Sequence, residues 1–225
     1  MIIRSINPTS AKFWVHVPSS VSSSRSVGVI VYVPDTDECT AMPQGWQDVL
    51  DREGYIFVVP QGAGNMRDSR LRAGLAVMGL MTMLKTYKNI SPNRVFTAGF
   101  SGGSRIACDL GFNQADLVRG AILSCGAEFP MRVAWQNAKP QTAVEQSYGF
   151  FPATSQECAW AKSYVRFAVI TGGSDFRRPF ITDIYNNGFK RYGFQARFWD
   201  VASGGHSPCS GETLKEAIGY LASGR

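Results

Sequence analysis

A serine set among glycines is the first feature of this 225-residue chain that could carry out chemistry. Ser101 stands in the stretch Gly-Phe-Ser-Gly-Gly, after an apolar run and before a helix-like segment. The pattern Gly-x-Ser-x-Gly between a strand and a helix is typical of a turn that exposes a nucleophilic Oγ. The backbone N–H of Gly102 would then lie beside that oxygen and stabilise an oxyanion. A phosphate-binding turn is the alternative, although the Gly-Lys-Ser/Thr ending of a P-loop is absent.

A nucleophilic serine needs a base within hydrogen-bond reach, and the chain has only two histidines. His206 lies in Gly-Gly-His-Ser-Pro, just after the last predicted strand and before the terminal helix. His16 lies inside the first predicted strand, where a packing or surface role is usual. We therefore expect His206 to be the general base, with a loop histidine of no special role as the alternative.

The base in turn needs a carboxylate that orients it. Asp175 follows a predicted strand in Thr-Gly-Gly-Ser-Asp, whereas Asp200 lies inside the last strand and Asp183 in the middle of a helix. Asp175 is thus the expected acid, and the order serine, aspartate, histidine along the chain supports that choice. Arg177 and Arg178 follow directly; they could meet an anionic substrate, but a solvated surface is their more usual role.

Strands and helices alternate along the chain. The predicted strands cover residues 12–18, 27–33, 55–60, 94–99, 118–126, 165–173 and 194–202. The predicted helices cover about 42–52, 70–87, 102–112, 179–192 and 211–223. Nearly continuous β-branched runs such as 27–33 are typical of strands buried on both faces. The sequence therefore predicts an α/β fold in one domain over residues 1–225, with a mainly parallel central sheet flanked by helices.

The section 127–164 lacks clear periodicity and is rich in aromatic residues. A loop of this length in a compact domain is often a lid or a binding segment, so we expect a lid-like, substrate-binding insertion. The aromatic residues expected to wall an apolar pocket are Phe100, Trp135, Phe150, Phe151 and Trp160. For each ring taken singly, packing in the core is the slightly favoured interpretation.

Several stretches resemble α/β-hydrolases, in particular the polyhydroxybutyrate depolymerase-like and feruloyl-esterase-like group. They are FWVHVPSSV, YIFVVPQG, SPNRVFTAGFSGGSRIA, ITGGSDFRR and GGHSP, and together they span most of the chain. The resemblance implies hydrolysis of a small or polymeric carboxylic ester by a Ser101–His206–Asp175 triad, without metal or organic cofactor. The alternatives are a non-catalytic binding member of the fold and a thioesterase or peptidase.

The chain departs from that resemblance at one place. Such proteins commonly carry a His-Gly stretch after an early strand, where a backbone N–H completes the oxyanion hole. Here the stretch is VIVYVPDTDE, and Pro34 has no N–H to donate. The second donor would have to come from Asp35 or Thr36, and the Asp35 carboxylate would repel an oxyanion.

Composition excludes several other functions. The net charge of +6 is spread along the chain without a dense basic run, so nucleic-acid binding is not expected. No apolar stretch reaches the ~18 residues of a membrane span.

Five cysteines without a Cys-x-x-Cys pair do not indicate a zinc site, but two of Cys39, Cys158 and Cys209 could form a disulfide. No signal peptide is visible, and compartment and oligomeric state stay open.

Overall fold

The structure is a computed structural model that describes residues 10–21, 25–139 and 152–223. Its strands are β1 (Phe13–His16), β2 (Val27–Val33), β3 (Tyr55–Pro60), β4 (Ile90–Phe100), β5 (Gly120–Ser124), β6 (Arg166–Gly172) and β7 (Gln195–Val201). Its α-helices are α1 (Trp46–Glu53), α2 (Ser69–Thr86), α3 (Gly102–Asn113), α4 (Ser155–Tyr164), α5 (Arg178–Asp183) and α6 (Gly211–Ala222). A π-helix, Ile184–Lys190, continues directly from α5.

The seven strands form one sheet in the order β1-β3-β2-β4-β5-β6-β7. All neighbouring pairs are parallel except β1 with β3, which run antiparallel at the edge. The prediction of an α/β fold with a mainly parallel sheet flanked by helices is confirmed. Because β4, β6 and β7 run parallel, their carboxyl ends lie on the same side of the sheet. Binding and catalytic sites of open α/β sheets form on that side.

Both faces of the sheet are covered, which explains the uninterrupted apolar strands. In β2, Val29 and Val31 belong to one hydrophobic cluster, and Ile30 and Tyr32 belong to the cluster on the other face. Helices α2, α3 and α4 contribute to the first cluster, and α1 and α6 to the second. Every residue of β2 is therefore buried.

The chain reverses its winding direction between β2 and β4. From β2 it proceeds through α1 to β3 on one side, and then returns to place β4 on the other side of β2. The loops that leave β2 and β4 therefore run in opposite directions, which makes this point the topological switch point of the sheet. Such a topological switch point is the usual place of ligand binding in an open parallel sheet.

The predicted irregular section is shorter than expected. Residues 155–164 form helix α4, which begins with a capping box: the Thr154 hydroxyl accepts from the Glu157 N–H, and the Glu157 carboxylate accepts from the Thr154 N–H. The spacing Thr-x-x-Glu was a visible start signal. A lid role for the remainder of 127–164 stays a prediction, because residues 140–151 lie outside the described part of the chain.

One further expectation needs correction, and the possible disulfide is not formed. The helix predicted over 179–192 is a short α-helix followed by the π-helix, so its winding changes at Ile184. Cys158 lies within α4 and Cys209 is buried, and the five cysteines are all free thiols.

Among the described residues, no helix has the length and apolar character needed to cross a bilayer.

Candidate active site

Ser101 occupies a strained backbone conformation at the junction of β4 and α3. Its φ is 53° and its ψ is −119°, a region that L-residues rarely adopt. Two contacts keep Ser101 in this conformation. Its N–H donates to the Ser124 carbonyl at 2.9 Å, and helix α3 begins at the next residue. Such outliers persist only where the surroundings over-determine them, and they concentrate at functional sites.

The glycines around Ser101 are required by close backbone approaches. A side chain at Gly99 would collide with the Gly103 backbone, and one at Gly103 would collide with the Val33 carbonyl at the end of β2. A side chain at Gly126 would collide with the Ser101 carbonyl. The turn therefore packs against both neighbouring strand ends, which a strand–helix junction with ordinary side chains could not do.

Ser101, His206 and Asp175 form a chain of hydrogen bonds. The Ser101 Oγ lies 3.0 Å from His206 Nε2, and His206 Nδ1 lies 2.7 Å from Asp175 Oδ1. The Asp175 side chain is fully buried, while that of His206 is 23% exposed. A neutral imidazole with its proton on Nδ1 can accept the serine proton at Nε2, so this geometry can activate the hydroxyl.

Asp175 is held as a carboxylate by hydrogen bonds on both oxygens. Oδ1 also accepts from the Arg177 N–H at 2.9 Å, Oδ2 accepts from the Thr171 hydroxyl at 3.0 Å, and the Cys125 thiol is a further donor. Burial alone would raise the pKa of Asp175, but these donors and His206 outweigh it and hold that pKa below its usual value. The carboxylate can therefore stabilise an imidazolium beside it.

Backbone bonds tie the loop that carries Asp175 to the loop that carries His206. The Gly173 N–H donates to Val201 O at 2.8 Å, and the Ser174 N–H and hydroxyl both donate to Gly204 O at 3.0 Å. A side chain at Gly173 would collide with the Ala202 backbone. The two loops therefore form one unit, which fixes His206 relative to Asp175.

Two phenylalanines flank the His206 ring. The centroid of Phe100 lies 5.0 Å from it, and that of Phe176 lies 4.4 Å from it. Phe100 was expected near the site, but Phe176 was not singled out, although its position directly after Asp175 was an available signal. Phe176 is 73% exposed, so its ring presents an apolar surface to solvent beside His206.

Of the other predicted pocket residues, the two tryptophans have different surroundings. Trp135 stacks on Phe180 of α5, with centroids 4.9 Å apart, and packs against the core. Trp160 lies on α4, an outer helix, and is 43% exposed. Phe150 and Phe151 lie outside the described residues.

The alternative acid and base have partners of their own. His16 Nε2 lies 2.6 Å from Asp51 Oδ1 on the outer part of the sheet. Asp200 accepts a bidentate pair of bonds from Arg178, at 2.9 and 2.6 Å. Arg178 is thus engaged at the surface.

Asp183 is fully buried and accepts from the backbone N–H groups of residues 136, 137 and 138. Its carboxylate therefore anchors residues 136–138, which lie within the predicted insertion.

The loop after β2 packs beside the start of α3, at the switch point. The Arg72 guanidinium is buried and donates to Pro34 O at 3.0 Å, and because the peptide is trans the Asp35 N–H points away from Arg72. Burial lowers the pKa of Arg72 to about 10. The Thr36 hydroxyl, a predicted oxyanion donor, uses its proton on Glu38 O at 3.2 Å.

Cys125, Asp175 and His206 are a group with metal-ligand side chains within the described part of the chain. Their donor atoms lie within 4.8 Å of one another. The thiol, however, faces acceptors: its single proton can bond to Asp175 or to Ser207 O of the His206 loop, 3.3 Å away. Burial and the Asp175 carboxylate raise the pKa of Cys125 to about 12, which disfavours the thiolate that a metal needs. The group fits support of the Ser101–His206–Asp175 chain better than metal binding.

The comparisons with solved structures assign the fold. One similar structure is S-formylglutathione hydrolase from Staphylococcus aureus, with a TM-score of 0.69 and 14% identity over 95% of this chain and 93% of that chain. A ferulic acid esterase has a TM-score of 0.66 and 17% identity over 94% and 91%. The fluorophosphonate-binding serine hydrolase F of S. aureus has a TM-score of 0.64 and 14% identity over 94% and 92%.

This chain has the α/β-hydrolase fold, and the structures it resembles are those of esterases and serine hydrolases. No sequence profile of a known protein family matches the chain. No curated protein sequence matches it either. The resemblance inferred from the sequence motifs is thus supported at the level of the fold.

Proposed function

We propose that this protein is a serine hydrolase that cleaves carboxylic esters through an acyl-enzyme. The observation that carries the proposal is the hydrogen-bonded chain from Ser101 Oγ through His206 to the buried Asp175, with Ser101 on a strained turn. Geometry of this kind serves nucleophilic acyl transfer. The fold of the chain, shared with esterases, is consistent with that chemistry.

In the first half-reaction His206 Nε2 takes the Ser101 proton while Oγ bonds to the ester carbonyl carbon. The carbonyl oxygen becomes an oxyanion beside the Gly102 N–H, at the positive end of α3. When the tetrahedral intermediate collapses, the bond to the alkoxy oxygen breaks and His206 returns the proton to the departing alcohol. Water then repeats the sequence on the acyl-enzyme, and the acid and free Ser101 result.

A second oxyanion donor is expected from the loop after β2. The Thr36 hydroxyl donates to Glu38 O. Of the oxyanion donors predicted at Asp35 and Thr36, the two backbone N–H groups therefore remain. We propose the Asp35 N–H, because its peptide is oriented by Arg72 and its loop packs against Gly103.

The substrate we propose is an ester with an apolar or aromatic group near the scissile bond. Phe100 and the exposed Phe176 flank His206 and offer that group an apolar surface. A thioesterase or peptidase would use the same three residues, so substrate choice distinguishes these activities.

The test is turnover of p-nitrophenyl acetate and butyrate together with labelling by a fluorophosphonate. We expect ester turnover well above buffer and a single labelled residue, Ser101. Ser101→Ala should lose labelling and on the order of 10⁶ in turnover while circular dichroism stays unchanged. Full activity in that variant, or an inert wild-type protein, would contradict the proposal. A thioester and an anilide with the same acyl group reveal whether the protein prefers a thioester or an amide to the ester.

A further inference from the structure

The side chain of Asn65 lies directly against the first residue of α3. A methyl group placed on Gly102 would overlap the Asn65 carboxamide oxygen and lie 3.3 Å from its Nδ2. The carboxamide therefore lies against Gly102, the residue whose N–H is the proposed first oxyanion donor, with its oxygen nearer to Gly102 than its nitrogen. We propose that Asn65 is a further catalytic residue, whose Nδ2–H donates to the oxyanion of the tetrahedral intermediate. This inference rests on the proposed function.

The loop that carries Asn65 is fixed to the loop after β2. The Asn65 N–H donates to Asp35 O at 2.9 Å, and the Gly64 N–H donates to Asp37 Oδ1 at 3.0 Å. Arg67 pairs with Asp37 at 2.7 Å, although this contact is exposed and contributes little by itself. A donor that acts on a transition state must be held in place beforehand, and these bonds hold the backbone of Asn65.

Buried contacts extend the same support inward. Arg72 donates to Ala63 O at 2.8 Å and to Pro34 O at 3.0 Å. Its buried guanidinium therefore connects the loop that carries Asn65 to the loop after β2. A side chain at Gly64 would collide with the backbone between Thr36 and Asp37. The two loops thus form one structure at the switch point between β2 and β4.

The carboxamide itself is available for a ligand. Asn65 is exposed, and no hydrogen bond to its side chain is found within the ranges that the structure describes. The amide has two N–H donors and no charge, which suits an oxyanion better than the nearby Asp35 carboxylate. Asn65 would thus add a side-chain donor to the two proposed backbone donors, the N–H groups of Gly102 and Asp35.

The glycine at position 102 is explained by the same contact. Gly102 has an ordinary helical placement, and it is the Asn65 carboxamide that occupies the space a side chain would need. Alanine at position 102 would keep the backbone N–H but push the carboxamide away. This gives a way to remove the amide from the site without changing Asn65.

The experiment compares Asn65→Ala, Asn65→Asp and the control Asn186→Ala on a p-nitrophenyl ester that wild type hydrolyses. Asn186 is an exposed asparagine of the π-helix. For Asn65→Ala we expect kcat to fall by on the order of 10²-fold with KM changed by less than about threefold. Affinity for a boronic acid that forms a tetrahedral adduct with Ser101 should fall in parallel. Asn65→Asp should be at least as impaired, and Asn186→Ala should match wild type.

Gly102→Ala provides the second arm. We expect it to lower kcat about as much as Asn65→Ala, and the double variant to be little worse than either, because both changes remove the same donor. Unchanged kcat in Asn65→Ala, a raised KM alone, or fully additive losses overturn the Asn65 role while leaving the proposed function intact. A wild-type protein that neither turns over esters nor is labelled at Ser101 overturns both.

Discussion

The Oγ of Ser101 and the Nε2 of His206 lie 3.0 Å apart although 105 positions separate the two residues in the chain. They meet because β4 and β7 run parallel in one sheet and end at the same edge. Ser101 is held by the turn into α3, and His206 by the loop that is bonded to the Asp175 turn. The contact is therefore set by three strand ends rather than by local sequence.

The two histidines should differ completely in their effect on catalysis. His206→Ala removes the proton acceptor of Ser101, so we expect kcat/KM to fall by on the order of 10⁶-fold. His16→Ala removes only a part-exposed pair with Asp51, and activity should stay close to wild type. Steady-state hydrolysis of p-nitrophenyl butyrate measures both. Comparable losses in the two variants would show that His206 is not the base.

The two aspartates near strand ends provide a matched test of the acid. Asp175→Asn keeps the shape of the side chain but removes the charge that fixes the His206 tautomer, and we expect kcat to fall by on the order of 10⁴-fold. Asp200→Asn breaks a surface pair with Arg178 and should leave kcat nearly unchanged. The kcat of both variants, measured at one pH near neutrality, shows which of the two aspartates is the acid. A larger loss from Asp200→Asn would reverse the assignment.

Two glycine substitutions should act in opposite directions on stability. Gly103→Ala places a methyl group on the Val33 carbonyl, and we expect a loss of about 3 kcal/mol in the free energy of unfolding. Gly219→Ala lies in α6 with open space around it, and alanine should stabilise the helix by roughly 0.5–1 kcal/mol. Urea denaturation monitored by tryptophan fluorescence gives both values. A stable Gly103→Ala protein would mean that the turn can move away from β2.

Asp109 is a buried carboxyl group that the proposed mechanism does not use. Within the described residues its Oδ2 has no hydrogen-bond partner, while Arg105 pairs with the neighbouring Glu128. Burial, and secondly the Glu128 charge, raise the pKa of Asp109 well above its usual value. The native state therefore keeps a proton that the unfolded chain releases, so stability from this group is lost as pH rises from the ordinary aspartate pKa toward the raised one.

Asp109→Asn should remove that pH dependence, because asparagine stays neutral. We expect the difference in the free energy of unfolding, variant minus wild type, to increase with pH by up to about 1.4 kcal/mol per unit above pH ~4. Chemical denaturation at several pH values measures it, with the exposed Asp116→Asn as control. A constant difference across that range would mean that Asp109 is ionised in the native protein throughout.

Much of the fold was predictable because the strands are buried on both faces. The strands Val27–Val33 and Tyr55–Pro60 have the predicted bounds, since each is a continuous run of buried residues. Helix α4 was missed because its apolar periodicity is weak, and only Thr154 and Glu157 marked its start. The π-helix was beyond sequence reasoning, because its winding depends on packing within the core.

The sequence by itself determined the strand–turn–helix around Ser101, the order of the three candidate site residues and the parallel sheet, because local pattern and chirality govern these. Only the tertiary structure decided which groups surround them. Asn65 meets Gly102, and Phe176 covers His206, because loops from different strands converge at one edge of the sheet. Such convergence depends on strand order and on side-chain packing, and neither has a periodic signature along the chain.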